Sequence, residues 1–175
     1  FVSPLSNQRT DNYGGSLEAQ KRLPLEIFHA VREVWPDHKP MSMRISACDW
    51  TEGGITGDDA VEVARMLKDA GLDIVDVSTG NVIPGARPTE GGMFQTPFSA
   101  RIRSEVGIPT MTVGNITSAE AVNDIIRGGR ADLCALGKGH LYAPYFPRHA
   151  ARELGYDGFK WPMQYAAAGG FTPGG

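Results

Sequence analysis

Apolar and polar residues along this chain recur with two periods, and the switch between the periods sets out its elements. After the paired glycines Gly14 and Gly15, Ser16 stands as a candidate N-cap, and Leu23, Ile27, Val31 and Val34 follow at helical spacing. Proline is tolerated only in a first turn, so Pro24 sets the expected start of that helix, and Trp35-Pro36 ends it. At 41–47 the period becomes two, with Met41, Met43 and Ile45 on one side and Ser42, Arg44 and Ser46 on the other. A second helix is expected over 56–70, with Asp58 and Asp59 at its start, Lys68 near its end and Gly71 closing it. A strand over 72–78, a long Gly- and Pro-rich loop over 79–97 and a short helix over 98–105 come next. The pattern continues with a strand over 109–113, a helix over 118–127 and a strand over 133–136. A last helix is expected over 145–154, and 161–165 is expected to be ordered. The tail over 166–175, rich in Ala and Gly, is expected to be flexible.

The order is one helix and then four βα units, which implies parallel strands joined by right-handed crossovers. A doubly wound sheet and part of a barrel both meet that description. No GxGxxG follows the first strand, which weakens a dinucleotide-binding sheet. The polar face of 41–47 also suits a barrel strand, with helices outside and a site inside. A full (β/α)8 TIM barrel needs about 250 residues; this chain has 175 and four units, so the expectation is half a barrel.

Composition changes little in this picture. Hydrophobic residues make up 41% and the mean hydropathy is -0.24, both ordinary for a globular chain. The net charge of -3 gives no reason to expect nucleic acid or an anionic membrane as partner, and no apolar run approaches the roughly 18 residues that span a bilayer. Cys48 and Cys134 lack CxxC spacing and read as free thiols in a reducing, cytoplasmic compartment, with no metal site.

Barrel chemistry gathers at the C-terminal ends of strands. Those ends hold Arg44, Ser46 and Cys48-Asp49-Trp50, then Asp76 and Ser78, then Val113-Gly114-Asn115, then Gly137-Lys138-Gly139. Glycines in two consecutive junctions, one followed by Lys, suit either plain turns or a phosphate held by backbone N–H groups. Arg44 lies on the inward face, where arginines are rare unless paired, and Asp76 is placed to pair with it. That pair reads either as a core ion pair or as a cation set against an electron-accepting ring. Asp132 precedes its strand and reads as structural, and His29 and His149 read as solvent-facing. The opening residues 1–16 read as a capped surface turn or as part of an active-site loop.

Several stretches together resemble the old yellow enzyme family of FMN-dependent ene-reductases. SPLSNQRTDNYGGSLE is similar to the segment after that family's fourth barrel strand. MRISACDW resembles the fifth strand, LDIVDVSTG the sixth, TVGNIT the seventh and GRADLCALGK the eighth. WPMQY resembles the Gln-Tyr ending of a bacterial class. The cysteine cluster of the dienoyl-CoA reductase branch is missing from the sequence after the barrel segment. MFQTPF is similar to the reductase-like half of anthraniloyl-CoA and salicylyl-CoA monooxygenase fusions.

The resemblance implies a C-terminal half-barrel over residues 1–165 that binds FMN, with NAD(P)H as reductant and hydride passed to an activated alkene of enone or enoyl/aryl-CoA type. It implies Arg44 near the flavin N1/C2 carbonyl end, Ser78 lining the cofactor, and Gly114, Gly137 and Lys138 at its phosphate. The catalytic groups are expected ahead of Phe1, the partner is a small-molecule substrate, and the full-length protein is expected to form a homo-oligomer. Three positions depart from the family. Lys138 stands for an arginine, Glu18-Ala19-Gln20 for Glu-Asn-Arg, and 166–168 are alanines where some relatives send an arginine into a neighbouring subunit. The resemblance begins only after the family's fourth strand, so the chain is expected to be a fragment, inactive alone and weak in FMN binding. The alternative is a half-barrel that binds a phosphate ligand or a partner without catalysis.

Overall fold

The computed structural model describes residues 1–88 and 91–170, so the last five residues of the expected tail lie outside the described part. Four strands, β1 (Ser42–Ser46), β2 (Ile74–Ser78), β3 (Thr110–Val113) and β4 (Leu133–Ala135), form one parallel sheet in chain order. Ser42 pairs with Ile74, Val75 with Thr110, and Met111 with Leu133. Six α-helices accompany them: α1 (Leu17–Val34), α2 (Gly57–Asp69), α3 (Thr96–Val106), α4 (Ala119–Arg127), α5 (Lys138–Tyr142) and α6 (Phe146–Glu153). A 3-10 helix over Met163–Gly170 includes the first part of the expected tail.

The period-two reading of β1 holds in space. Ile45 is buried and Met43 packs against the core, while Ser42 and Arg44 lie open on the other face. Strand partners in a parallel ladder share a face, so the registers put Arg44, Asp76, Ser46 and Ser78 on that same inner surface. The outer surface is the core, where Ile45, Val75 and Val77 meet Ala60, Val63, Ala64 and Leu67 of α2 and Ile102 of α3. Two buried polar pairs also join α3 to β3: Ser99 Oγ donates to Thr110 Oγ1 at 2.9 Å, and Thr96 and Thr112 hydroxyls lie 3.2 Å apart.

Helix α2 opens with a capping box. Asp59 N donates to Thr56 Oγ1, and Thr56 N donates to Asp59 Oδ2 at 2.8 Å. Helix α1 departs from expectation at both its start and its face. It begins at Leu17 behind the Ser16 cap and carries Pro24 inside. The expected apolar face is largely open, with Ile27, Val31 and Val34 exposed, while Phe28 is buried. The residues of that stripe lack a neighbouring element on their side, so their period does not report what they pack against. Helix α3 starts two residues before its expected onset, with Pro97 in its first turn, and α5 was not expected.

At the lower end of the sheet, Asp132 accepts from Thr110 N at 2.9 Å and from Arg103 Nε at 3.0 Å. The Arg103 guanidinium and the backbone N–H hold the Asp132 carboxyl below its ordinary 3.8. A carboxylate depressed in the folded state stabilises above its unfolded value and loses that contribution as pH falls. The stability advantage of the wild type over Asp132→Asn is therefore expected to shrink below about pH 4 in thermal unfolding. Parallel curves down to pH 2.5 or so would sink that reading.

Candidate functional site

The sequence-predicted site residues lie on the inner face of β1 and β2 or in the junctions after β3 and β4. Arg44 projects from β1 and pairs with Asp76 of β2, with Nε to Oδ2 at 2.8 Å and Nη2 to Oδ2 at 2.7 Å. Its side chain is 58% exposed, which corrects the expectation of a buried inward arginine: four strands do not enclose the inner face. Ser78 ends β2 opposite Ser46. Gly114 follows β3 directly, and Gly137 and Lys138 follow β4. The structure thus brings Arg44 to Asp76 and sets Gly114 and Gly137 in adjacent junctions. Arg44 stands on the edge strand β1 and Lys138 begins the helix after the other edge strand, β4, so the sheet holds them apart.

The two glycines play different parts. Gly137 is the N-cap residue before α5, and a Cβ there would meet nothing within 4 Å. Gly114 has φ +105, and a Cβ there would come 2.1 Å from Gln95 Nε2. The side chain of Gln95, buried at 6% exposure, fills the space behind the turn. Glycine at 114 suits the positive φ, and a Cβ there would force the Gln95 amide to move. Asn115 follows with φ 51, so the turn is left-handed across two residues.

Asp49 is a second organising residue. It is fully buried, accepts from Ser3 Oγ at 2.6 Å and accepts from Ile55 N at 2.8 Å. It thereby ties the opening loop to the loop after β1. Asn7 closes that opening loop on itself, donating to the carbonyls of Phe1 and Tyr13 at 2.7 and 2.6 Å. Trp50 adopts φ 58 and packs edge-on against Phe98 and Phe94, with ring centroids 5.5 and 6.2 Å away. That contact joins the loop after β1 to the loop after β2. Burial pushes the Cys134 thiol up, with Arg130 partly opposing it, which favours the protonated form.

Buried polar atoms without a partner are concentrated here. Among the described residues eight side-chain atoms are in that condition. Six of them belong to Ser46, Asp49, Trp50, Asp76, Thr79 and Gln95, on the inner face or in the loops above it. Such groups are rare in folded proteins and costly unless satisfied. Here they are hydroxyl, carboxyl and amide oxygens and one indole N–H, enclosed beneath the loops at the top of the sheet. Sequence periodicity carried no signal for Thr79 or Gln95, which lie in an irregular loop. Among the described residues no cluster of three His, Cys, Asp or Glu could hold a metal ion, and no helix is long and apolar enough to cross a membrane.

Comparison with known proteins agrees with this arrangement. The model of the NADH:flavin oxidoreductase / NADH oxidase family matches residues 1–156. An NADPH dehydrogenase of Geobacillus thermodenitrificans is 46% identical over 165 residues, covering 94% of this chain and 47% of that protein. One from Bacillus cytotoxicus is 42% identical over 170 residues, covering 97% and 48%. The chain spans about half the length of these relatives. Among solved structures, a 2-naphthoyl-CoA reductase complexed with 2-naphthoyl-CoA superposes with a TM-score of 0.77 at 26% identity, over 89% of this chain and 24% of that one. Morphinone reductase superposes with a TM-score of 0.67 at 25% identity, over 89% and 40%. These neighbours are TIM-barrel flavin enzymes, and the four βα units here are a partial barrel of that kind. FMN and NADPH are the cofactors that the family and these relatives imply.

Proposed function

Because this chain belongs to the NADH:flavin oxidoreductase / NADH oxidase family, we propose that it forms the C-terminal half of an FMN-binding barrel and that FMN lies across the tops of its four strands. The observation that carries this reading is the Arg44–Asp76 pair on the open inner face, with unpartnered Ser46 and Thr79 hydroxyls at the same strand ends. A phosphorylated polar ring system suits that donor set: a fixed cation, free hydroxyls and glycine backbone in two adjacent junctions.

FMN, when bound, supplies a two-electron relay from NAD(P)H to an acceptor. This chain's residues then have separate tasks. Arg44 presents a permanent positive charge where negative charge builds on reduction, and Asp76 fixes the guanidinium's orientation. Ser78 offers a hydroxyl to the ring edge. The backbone of Gly114 and Gly137 would hold the phosphate, with Lys138 adding a point charge in place of a bidentate arginine clamp. The acceptor is an activated alkene of enone or enoyl/aryl-CoA type, a reading supported by the 2-naphthoyl-CoA reductase likeness. The groups that bind it and return a proton are assigned to further βα units of a longer enzyme, a reading supported by this chain's covering 47% of the Geobacillus thermodenitrificans relative.

The test joins this chain to the N-terminal half of the Geobacillus thermodenitrificans relative, with which it aligns over 47% of that protein. The joined barrel is expected to hold FMN at submicromolar concentration by flavin-fluorescence titration and to be reduced by NADPH. Arg44→Met is expected to lower the flavin reduction potential while leaving FMN bound. The isolated 175-residue chain is expected to bind FMN only at micromolar concentration or above. Submicromolar binding by the isolated chain would overturn the half-site, and a joined barrel that folds without taking up FMN would overturn the flavin reading.

A further inference from the structure

Trp50 adopts a backbone conformation that its own residue type disfavours. Its φ is 58, and the other non-glycine residues at positive φ among the described residues, Asn81 and Asn115, are asparagines, which tolerate that region. A bulky residue held there is strained, and such strain persists only where the surroundings fix it. The surroundings here are the two ends of the loop after β2. At the start of that loop, Gly80 N donates to Cys48 O at 2.7 Å, and a Cβ at Gly80 would come 3.1 Å from Trp50 Cδ1. At its end, the rings of Phe94 and Phe98 meet the indole edge-on, with centroids 6.2 and 5.5 Å away. One ring thus stands between the two ends. The indole N–H is buried without a partner, so ring contact and not a hydrogen bond makes this junction.

We propose that Trp50 is a positioning residue that clasps both ends of the loop after β2 and thereby sets how tightly the electron acceptor is held above the inner face. The loop reaches that face directly, because Val82, two residues past Gly80, lines the same cleft as Arg44 and Ser46. Closing a loop costs entropy that grows with the span left free. A clasp at its base meets that cost before any acceptor arrives, so less ordering opposes binding. Both sides of the clasp are anchored. Phe98 lies in the first turn of α3, whose Ser99 and Ile102 are buried. Asp49, fully buried next to Trp50, holds the other side through Ser3 and Ile55. Trp50 supplies no reacting group and acts only through the loop. The acceptor half of this proposal rests on the flavin reading above, whereas the clasp needs no cofactor.

Amide hydrogen exchange on the 175-residue chain tests the clasp without flavin. Trp50→Ala is expected to speed exchange at Gly80 N at least tenfold, while Val75 N, bonded to Pro109 O at 3.0 Å, keeps its rate. Equal acceleration at both amides, or none at Gly80, overturns the proposal. Steady-state turnover of the joined barrel with NADPH and cyclohexenone, a simple enone, tests the consequence. Trp50→Ala is expected to raise KM for the enone at least tenfold with kcat within about threefold, as loss of uniform binding requires. Trp50→Phe keeps a ring and drops the unpartnered N–H, and is expected to restore most of the lost affinity. An unchanged KM overturns the proposal, and so does a fall in kcat alone. Should Trp50→Ala not fold, Gly80→Ala presses on the same contact from the loop side and is expected to give the same split. A joined barrel that takes up no FMN sinks the flavin reading and the acceptor half with it, and exchange at Gly80 then decides the clasp.

Discussion

Gly114→Ala is expected to destabilise the chain by roughly 3 kcal/mol, from strain at a positive φ and from overlap in a filled space. The two contributions separate by experiment. The backbone strain at φ +105 belongs to residue 114 alone, whereas the 2.1 Å approach of the added Cβ is to Gln95 Nε2. In a Gln95→Ala background the same substitution should therefore cost about 1–2 kcal/mol less, a coupling measurable by a double-mutant cycle in urea. Strictly additive costs would show that Gln95 does not buttress the turn. The result bears on function because this turn is proposed to face the phosphate. If the coupling is present, glycine at 114 serves the shape of the turn, and the phosphate role rests on the backbone N–H alone.

Asp49→Ala should cost about 3 kcal/mol, because it removes a charged acceptor from two buried hydrogen bonds and leaves both donors unpartnered. Those donors are Ser3 Oγ and Ile55 N. The loss should also be local. With Ser3 released, the opening loop should be cut faster by trypsin at Arg9 than in the wild type, under conditions where the rest of the chain resists. Asp49→Asn keeps an acceptor of the same shape and should lose less on both measurements. A change below about 0.5 kcal/mol for Asp49→Ala would place the anchor of this loop elsewhere.

Both residues show how far the sequence could be read. The βα order, the Ser16 cap, the acidic start of α2 and the inward face of β1 were legible because period, cap and turn chemistry are local. The Arg44–Asp76 pair was legible for the same reason, since two adjacent parallel strands bring inward residues of like position together. Gln95 and Thr79 were not legible as site residues. They lie in an irregular loop, and their burial depends on where that loop comes to rest over β2 and β3.

The sequence by itself determined a parallel four-unit sheet, its polar inner face and the glycines at two consecutive strand ends, because each follows from patterning within about 15 residues. It also misled in one place: the apolar stripe of α1 has a helical period, yet Ile27, Val31 and Val34 stay exposed. Only the tertiary structure decided which residues hold the upper loops. Asp49 and Gln95 act across 46 and 19 positions of chain, respectively, on Ser3 and Gly114. No periodicity encodes contacts at that separation, and they arise only once the strands lie side by side. The same packing left Arg44 on an open face instead of in a closed interior, because enclosure depends on the number of strands present and not on the pattern of any one of them.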